Sequence, residues 1–273
     1  MSETTRNDMI ALVTGAGGGM GRAISLAFAA EGRSLLLTDF NPAALDETVR
    51  AIGDKVPIQA LSGDIAAPDF PARLAETATA PIATLVHTAG LSPTMADGKR
   101  IFDVNFHATQ RLVEGLVSHL APGAALILIA SNSGHMVAGP RMDKTVRSIL
   151  AGKRPLLMRL MLKNPGAAYA LSKRAVQLYA QKMAPELAGK ARIVSLSPGL
   201  IDTGMGQQER SANAVMDKMI AVTPERRFGR ADEIASAVCF LASDAASYVN
   251  GTDLLVDGGC IAGVQAAGGA RKL

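Results

Sequence analysis

The chain has 273 residues, of which 48% are hydrophobic and 19% charged, with 27 glycines and 13 prolines. That length suits one large domain over 1–273, and the balance excludes a disordered, collagenous or disulfide-scaffold chain. Cys239, Cys260 and the histidines His87, His107, His119 and His135 fall in no ligand spacing, so no metal site is expected and a reduced, cytoplasmic setting is. The net charge of +4 is uneven, because 141–163 hold seven basic residues against one acid, Asp143. The basic balance thus describes one segment rather than a nucleic-acid-binding surface.

Residues 1–8 are polar and charged, unlike a signal peptide, and the strongest apolar run, 124–130, is too short to cross a bilayer. Arg271, Lys272 and Leu273 match a peroxisomal address only loosely, since Arg271 stands where a small residue is wanted. A soluble chain without stable membrane association is expected. Branched apolar runs at 10–13, 35–37, 85–86 and 125–129 read as strands buried on both faces, as parallel strands between helix layers are. Helical spacing fills 22–31, 42–52 and 70–78, with Asn41 and Pro42 a good cap and first helical residue. Farther on, the pattern predicts a long helix over 100–120, another over 167–187, a strand at 192–196, a helix over 231–241 and a last strand at 254–256. The tail 261–273, rich in Gly and Ala, is expected to be loosely ordered. This alternation implies an α/β fold: a single Rossmann-type doubly wound parallel sheet, helices on both faces, ligand at the carboxyl ends of the strands.

The first strand runs into TGAGGGMG at 14–21, and a helix begins at once. Gly15, Gly18, Gly19 and Gly21, with Met20 among them, allow a sharp turn and a close approach to a pyrophosphate at the helix N-terminus. The strand before, the helix after and an acid closing the second strand turn a weak glycine pattern into a dinucleotide fingerprint. That acid, Asp39, followed by Phe40, is placed to accept from both hydroxyls of an adenosine ribose and to repel a 2′-phosphate. Its plainer reading is a cap for the turn into Asn41 and Pro42. NAD is therefore expected rather than NADP.

Tyr169-Ala-Leu-Ser-Lys173 completes a set of motifs that resembles the short-chain dehydrogenase/reductase family over 12–259. The other pieces are the glycine loop, Asp64 after the third strand, Ala89 and Gly90 after the fourth, Val104 and Asn105, Ser131 with Gly134, Pro198 and Gly199 with Thr203, and the run from Asn250 and Gly251 to Asp257, Gly258 and Gly259. The resemblance implies that Tyr169 is the general acid/base and that Lys173 assists it and holds the nicotinamide ribose. It also implies that Ser131 binds the substrate oxygen and that Asn105 holds a water in a relay to Lys173. It gives Asp64 and Ile65 to the adenine, Ile201 and Thr203 to the nicotinamide carboxamide, and Ala89, Gly90, Pro198 and Gly199 to the cofactor as well. The residues themselves agree for the central pair: positions four apart share a helix face. A free phenol ionises near 10, so work near neutrality needs about 4 kcal/mol of help, much of which a neighbouring ammonium supplies. Ser133 rivals Ser131, either serine suits a turn cap, and Asn105 suits a helix cap. Two departures stand out: His87-Thr88 replaces an asparagine-rich start to the strand-four motif, and Ser195 stands where asparagine is usual.

Ser131 and Tyr169 lie 38 positions apart, far more than the family spacing, which places a helical insertion at 139–165 beside the site. Gly90 to Asn105 is conversely short. The combination is similar to bacterial 3α-hydroxysteroid dehydrogenase/carbonyl reductases and implies a lipophilic alcohol or ketone. From its residues the insertion is either a flap with a packed apolar face and solvated charges or a lid for a lipophilic anion. The expected activity is NAD-dependent interconversion of a secondary alcohol and a ketone; the alternative is a catalytically silent NAD-sensing or scaffold protein. Enoyl reductases are disfavoured because those relatives space Tyr and Lys more widely. Membrane association through the basic insertion is a weaker alternative. The family also implies a homo-oligomer built on the helices bearing Asn105 and Tyr169, a tetramer, or a dimer where the insertion obstructs that contact.

Overall fold

The computed structural model describes residues 9–207 and 215–269; the expectations about 1–8 and about Arg271, Lys272 and Leu273 lie outside the described residues. Seven parallel strands form one sheet: β1 (Ile10–Thr14), β2 (Ser34–Asp39), β3 (Ile58–Ser62), β4 (Ile82–His87), β5 (Leu120–Ile129), β6 (Ala191–Pro198) and β9 (Asp253–Val256). Their order is β3-β2-β1-β4-β5-β6-β9, with a separate two-stranded ribbon of β7 (Ile201–Asp202) and β8 (Gly229–Arg230). The order reverses between β1 and β4, and a crevice opens there at the carboxyl edge.

Both faces of the sheet are covered, which is why β1 is buried at every position. On one face Ile24 and Phe28 of α1 (Gly19–Ala30), Leu45 of α2 (Pro42–Ile52) and Val238 of α11 (Ala231–Ala242) pack on the strands. On the other lie α3 (Phe70–Thr77), α4 (Gly98–Phe102), α5 (Ala108–Leu116), α7 (Pro140–Leu150) and α9 (Pro165–Glu186), around Phe70, Phe102, Leu112, Val146 and Tyr179.

Two sequence expectations are corrected, and the two readings of the insertion can be compared with its structure. The helix read over 100–120 is broken: a π turn, Asp103–His107, separates α4 from α5, and the chain enters β5 at Leu120. Val104, Asn105 and Phe106 are buried in succession, which a regular α-helix with one inward stripe does not provide; the wider turn does. Residues 261–266, expected to be loose, belong to α12 (Cys260–Ala266), with Cys260, Ile261 and Val264 buried. Its small residues serve packing: a methyl group at Gly263 would stand against the carbonyl oxygen of Val222, the last residue of α10 (Val215–Val222). The insertion is helical, as α7 and α8 (Leu156–Met161). Val146, Ile149 and Met158 join the core below the sheet while all seven bases are exposed, which matches the flap rather than the lid.

Candidate active site

Two neighbouring cavities lie at the carboxyl edge. The larger, about 620 Å³, is lined by Gly15, Gly18, Gly19, Met20 and Gly21, by Asp39 and Phe40, by Asp64 and Ile65, and by Ala89, Gly90 and Thr203. The smaller, about 260 Å³, is lined by Ser131, Tyr169, Pro198, Gly199, Ile201 and Thr203. Met20, Thr203 and Met205 border both. Of the residues given catalytic or cofactor-binding roles from sequence, only Asn105 and Lys173 line neither; they sit directly behind Gly90, where a methyl group would stand 3.1 Å from Asn105 Oδ1 and 3.6 Å from Lys173 Nζ.

The glycine loop fits a dinucleotide for separable reasons. Gly15 has φ +68°, and a methyl there would press on Thr88 and Ala89; at Gly21 it would lie 2.0 Å from the Gly15 carbonyl oxygen. Gly18 has nothing within 4 Å of that position, so its missing side chain is space given to the cavity at the start of α1, where an anion is favoured. The Asp39 carboxylate is fixed by two backbone donors, Gly17 N to Oδ2 at 2.8 Å and Asn41 N to Oδ1 at 2.9 Å. It braces the turn, as its plainer reading had it, and also lines the larger cavity, while Asn41 caps α2. Asp64 accepts from Ala66 N and from Arg100 Nη2 at 2.7 Å. Burial opposes its ionisation, but those two donors outweigh burial and hold its pKa below the usual value. Arg100, which lines the larger cavity, is a residue that sequence reading missed.

Tyr169 and Lys173 ride one face of α9, with Lys173 Nζ 5.6 Å from the phenol ring centroid. Lys173 is buried and donates to the Ile129 carbonyl at 3.0 Å. Its charge also acts on His87: burial first and Lys173 second push the His87 imidazole down to about 3, so the ring is neutral. The departure at His87-Thr88 is thereby accounted for. His87 Nδ1 lies 2.7 Å from Thr14 Oγ1, and Thr88 Oγ1 donates to the Thr14 carbonyl at 2.6 Å, so the pair ties β4 to β1. Ser195 likewise has a partner, donating to Asp253 Oδ1 at 2.5 Å.

Ser131 stands two residues beyond β5 and caps the short helix α6 (Asn132–Met136), its Oγ accepting from Ser133 N at 3.2 Å. Cap and cavity wall are the same residue. The Asn105 amide is engaged on both sides, accepting from Leu91 N at 2.7 Å and donating to the Leu91 carbonyl at 2.9 Å, so it clamps the loop after β4. Asn132 and Ser133, the rival named from sequence, also line the smaller cavity, and the rest of its wall is largely apolar and rich in sulfur: Met136, Met205, Met216, Met219, Leu200 and Phe228. None of the described residues lining it is charged, and no insertion base reaches it. Among the described residues no helix is long and apolar enough to cross a membrane.

Residues 9–141 match the family model described as short chain dehydrogenase, and residues 157–260 the one described as Enoyl-(Acyl carrier protein) reductase. The unmatched stretch between them lies inside the insertion. Galactitol 2-dehydrogenase (L-tagatose-forming) of Cereibacter sphaeroides is 33% identical over 262 residues, covering 91% of this chain and 93% of that one. The 7alpha-hydroxysteroid dehydrogenase of Escherichia coli (strain K12) is 30% identical, covering 93% and 94%. A crystal structure of a short-chain dehydrogenase/reductase (SDR: glucose/ribitol dehydrogenase) from Brucella melitensis superposes with a TM-score of 0.77 at 28% identity, covering 93% of this chain and 97% of that one.

Proposed function

This chain belongs to the short-chain dehydrogenase/reductase family, and on that premise we propose that it interconverts a lipophilic secondary alcohol and its ketone with NAD. The observation that carries the reading is the pairing of cavities: Ser131 and Tyr169 face a small apolar chamber that shares Met20 and Thr203 with the chamber of the glycine loop. When bound in the latter, the nicotinamide cofactor supplies the hydride acceptor or donor. Tyr169 takes the hydroxyl proton as the substrate carbon gives up hydride, and returns it in the reverse direction. The Lys173 ammonium favours the phenolate, and Ser131 hydrogen-bonds the substrate oxygen as charge develops on it. Asn105 and Lys173, packed together behind Gly90, form the inner end of the proton path.

Asp39, with no ion-pair partner among the described residues, supports NAD over NADP, since a 2′-phosphate would face a fixed carboxylate. The sulfur-rich wall supports a hydrocarbon-like substrate, because methionines adapt to irregular apolar shapes. Steroid and polyol dehydrogenases stand among the relatives, and the wall favours the former type. The four-residue spacing of Tyr169 and Lys173 favours carbonyl chemistry over enoyl reduction. The seat of α7 on α9 supports a homodimer, since the insertion covers part of the helix on which family tetramers are built. Absorbance of reduced nicotinamide during a screen of hydroxysteroids and cyclic alcohols tests the proposal. Turnover of at least one of them is expected; tight NAD binding without turnover of any would favour the silent NAD-sensing reading instead.

A further inference from the structure

A polar chain, half-buried at Asp143 and Arg174 and fully buried at Gln177 and Ser197, links the insertion to Ser131. Asp143, the single acid of the basic segment, receives both Arg174 Nε and Arg174 Nη2 at 2.8 Å. Arg174 Nη1 donates to Gln177 Oε1 at 3.0 Å. Gln177 Nε2 donates to the Ser131 carbonyl at 3.2 Å and to Ser197 Oγ at 2.8 Å. Ser197 Oγ donates to Asp253 Oδ1 at 2.9 Å, and Asp253 Oδ2 lies 2.7 Å from His135 Nε2 on α6. The donors and acceptors fix the amide's direction. Arg174 can only donate, so Oε1 faces it, and Nε2 is left for the Ser131 carbonyl, which can only accept.

Gln177 is completely buried, and the backbone makes room for it. A methyl at Gly134 would stand 2.8 Å from both Gln177 Nε2 and Oε1, so α6 passes against the amide only because residue 134 has no side chain. The Ser131 carbonyl takes a second bond from Gly134 N at 3.0 Å, so both its lone pairs are occupied. Gln177 sits eight residues beyond Tyr169 on α9, about 12 Å along one rigid axis. The helix that presents the phenol therefore also holds the backbone of the serine opposite it.

We infer that Gln177 is a positioning residue: it sets Ser131 relative to Tyr169, and the Asp143–Arg174 pair keeps its amide turned the right way. The inference rests on the function proposed for Ser131 and Tyr169. Its test is the single-turnover rate of nicotinamide reduction, with the most active alcohol of the screen, in Gln177→Met, Ser131→Ala and the double variant. Gln177→Met should slow hydride transfer about 10- to 100-fold, as small misplacements of reacting groups do, with NAD affinity unchanged. In the Ser131→Ala background it should cost nothing more, because a residue acting through Ser131 has no target left. Gln177→Glu keeps the acceptor for Arg174 but offers no donor to the Ser131 carbonyl. It should match Gln177→Met, and it carries the test should the methionine variant not fold. A wild-type rate in Gln177→Met, or an undiminished additional loss on top of Ser131→Ala, overturns the inference alone. An unimpaired Ser131→Ala enzyme overturns it together with the proposed role of the serine.

Discussion

Replacing two glycines of one loop should separate folding from cofactor binding. At Gly21 an added methyl would meet the Gly15 carbonyl oxygen at 2.0 Å, a backbone atom that cannot swing aside. Relief requires loop or helix to shift by about 1 Å, which belongs in the upper part of the ~1–3 kcal/mol range for overpacking. At about 2–4 °C per kcal/mol for a chain near this size, Gly21→Ala should melt roughly 4–12 °C below wild type. Gly18 has extended backbone, φ −164° and ψ 176°, open to any residue, and nothing within 4 Å of the added methyl. Gly18→Ala should lose at most about 1 kcal/mol, as a poorer cap. Its methyl projects instead into the larger cavity, and the same ~1–3 kcal/mol taken from binding weakens NAD about 5- to 150-fold. Scanning calorimetry and NAD titration read the two effects independently. A Gly21→Ala protein melting with wild type, or a Gly18→Ala protein binding NAD as tightly as wild type, would refute the reasoning.

Other outcomes follow from the same geometry. Tyr169→Phe should cut turnover by about 10²–10⁴ while NAD titrates as before; undiminished turnover removes the phenol from the mechanism. Wild-type kcat/KM should favour NAD over NADP by at least about tenfold, since unit charges 4 Å apart near a protein surface repel by about 1–4 kcal/mol, and Asp39→Asn should narrow that ratio. Equal efficiencies in the wild type would rule the assignment out. The hydrogen bond and charge of Arg174 hold the Asp143 carboxyl below its usual range. The stabilisation is therefore complete above the ordinary aspartate pKa and disappears as pH falls through the lowered one. Asp143→Asn should lower urea midpoints at neutral pH and flatten the acid limb below about pH 4; an acid limb identical to wild type would sink the claim.

The sheet was legible because β1, β2, β4 and β5 are buried on both faces and so carry unbroken apolar runs. β3 was readable only through Asp64 after it, since this edge strand exposes Ala60 and Ser62 and buries no residue fully. The glycine loop, Asp39, Ser131 and the Tyr169–Lys173 pair carry local signatures, and the structure brings them to one edge. The π turn was hidden because apolar periodicity cannot distinguish an extra residue from a continuing helix. Gln177 left no signal at all. A glutamine on a helix reads as surface, and only the tertiary approach of Gly134 and the Ser131 carbonyl gives it a task. Flap and lid could not be told apart in the sequence for a similar reason: periodicity shows that the insertion has an apolar stripe, not where its lysines and arginines end up.

The contact between Gly134 and the Gln177 amide couples two positions that are 43 apart in the chain. Any descendant that enlarges residue 134 must first shorten residue 177, and a shortened 177 leaves the Arg174 guanidinium seeking another acceptor. Change at this spot must therefore travel by compensated steps, whereas the exposed leucines and bases of the insertion are at liberty to drift.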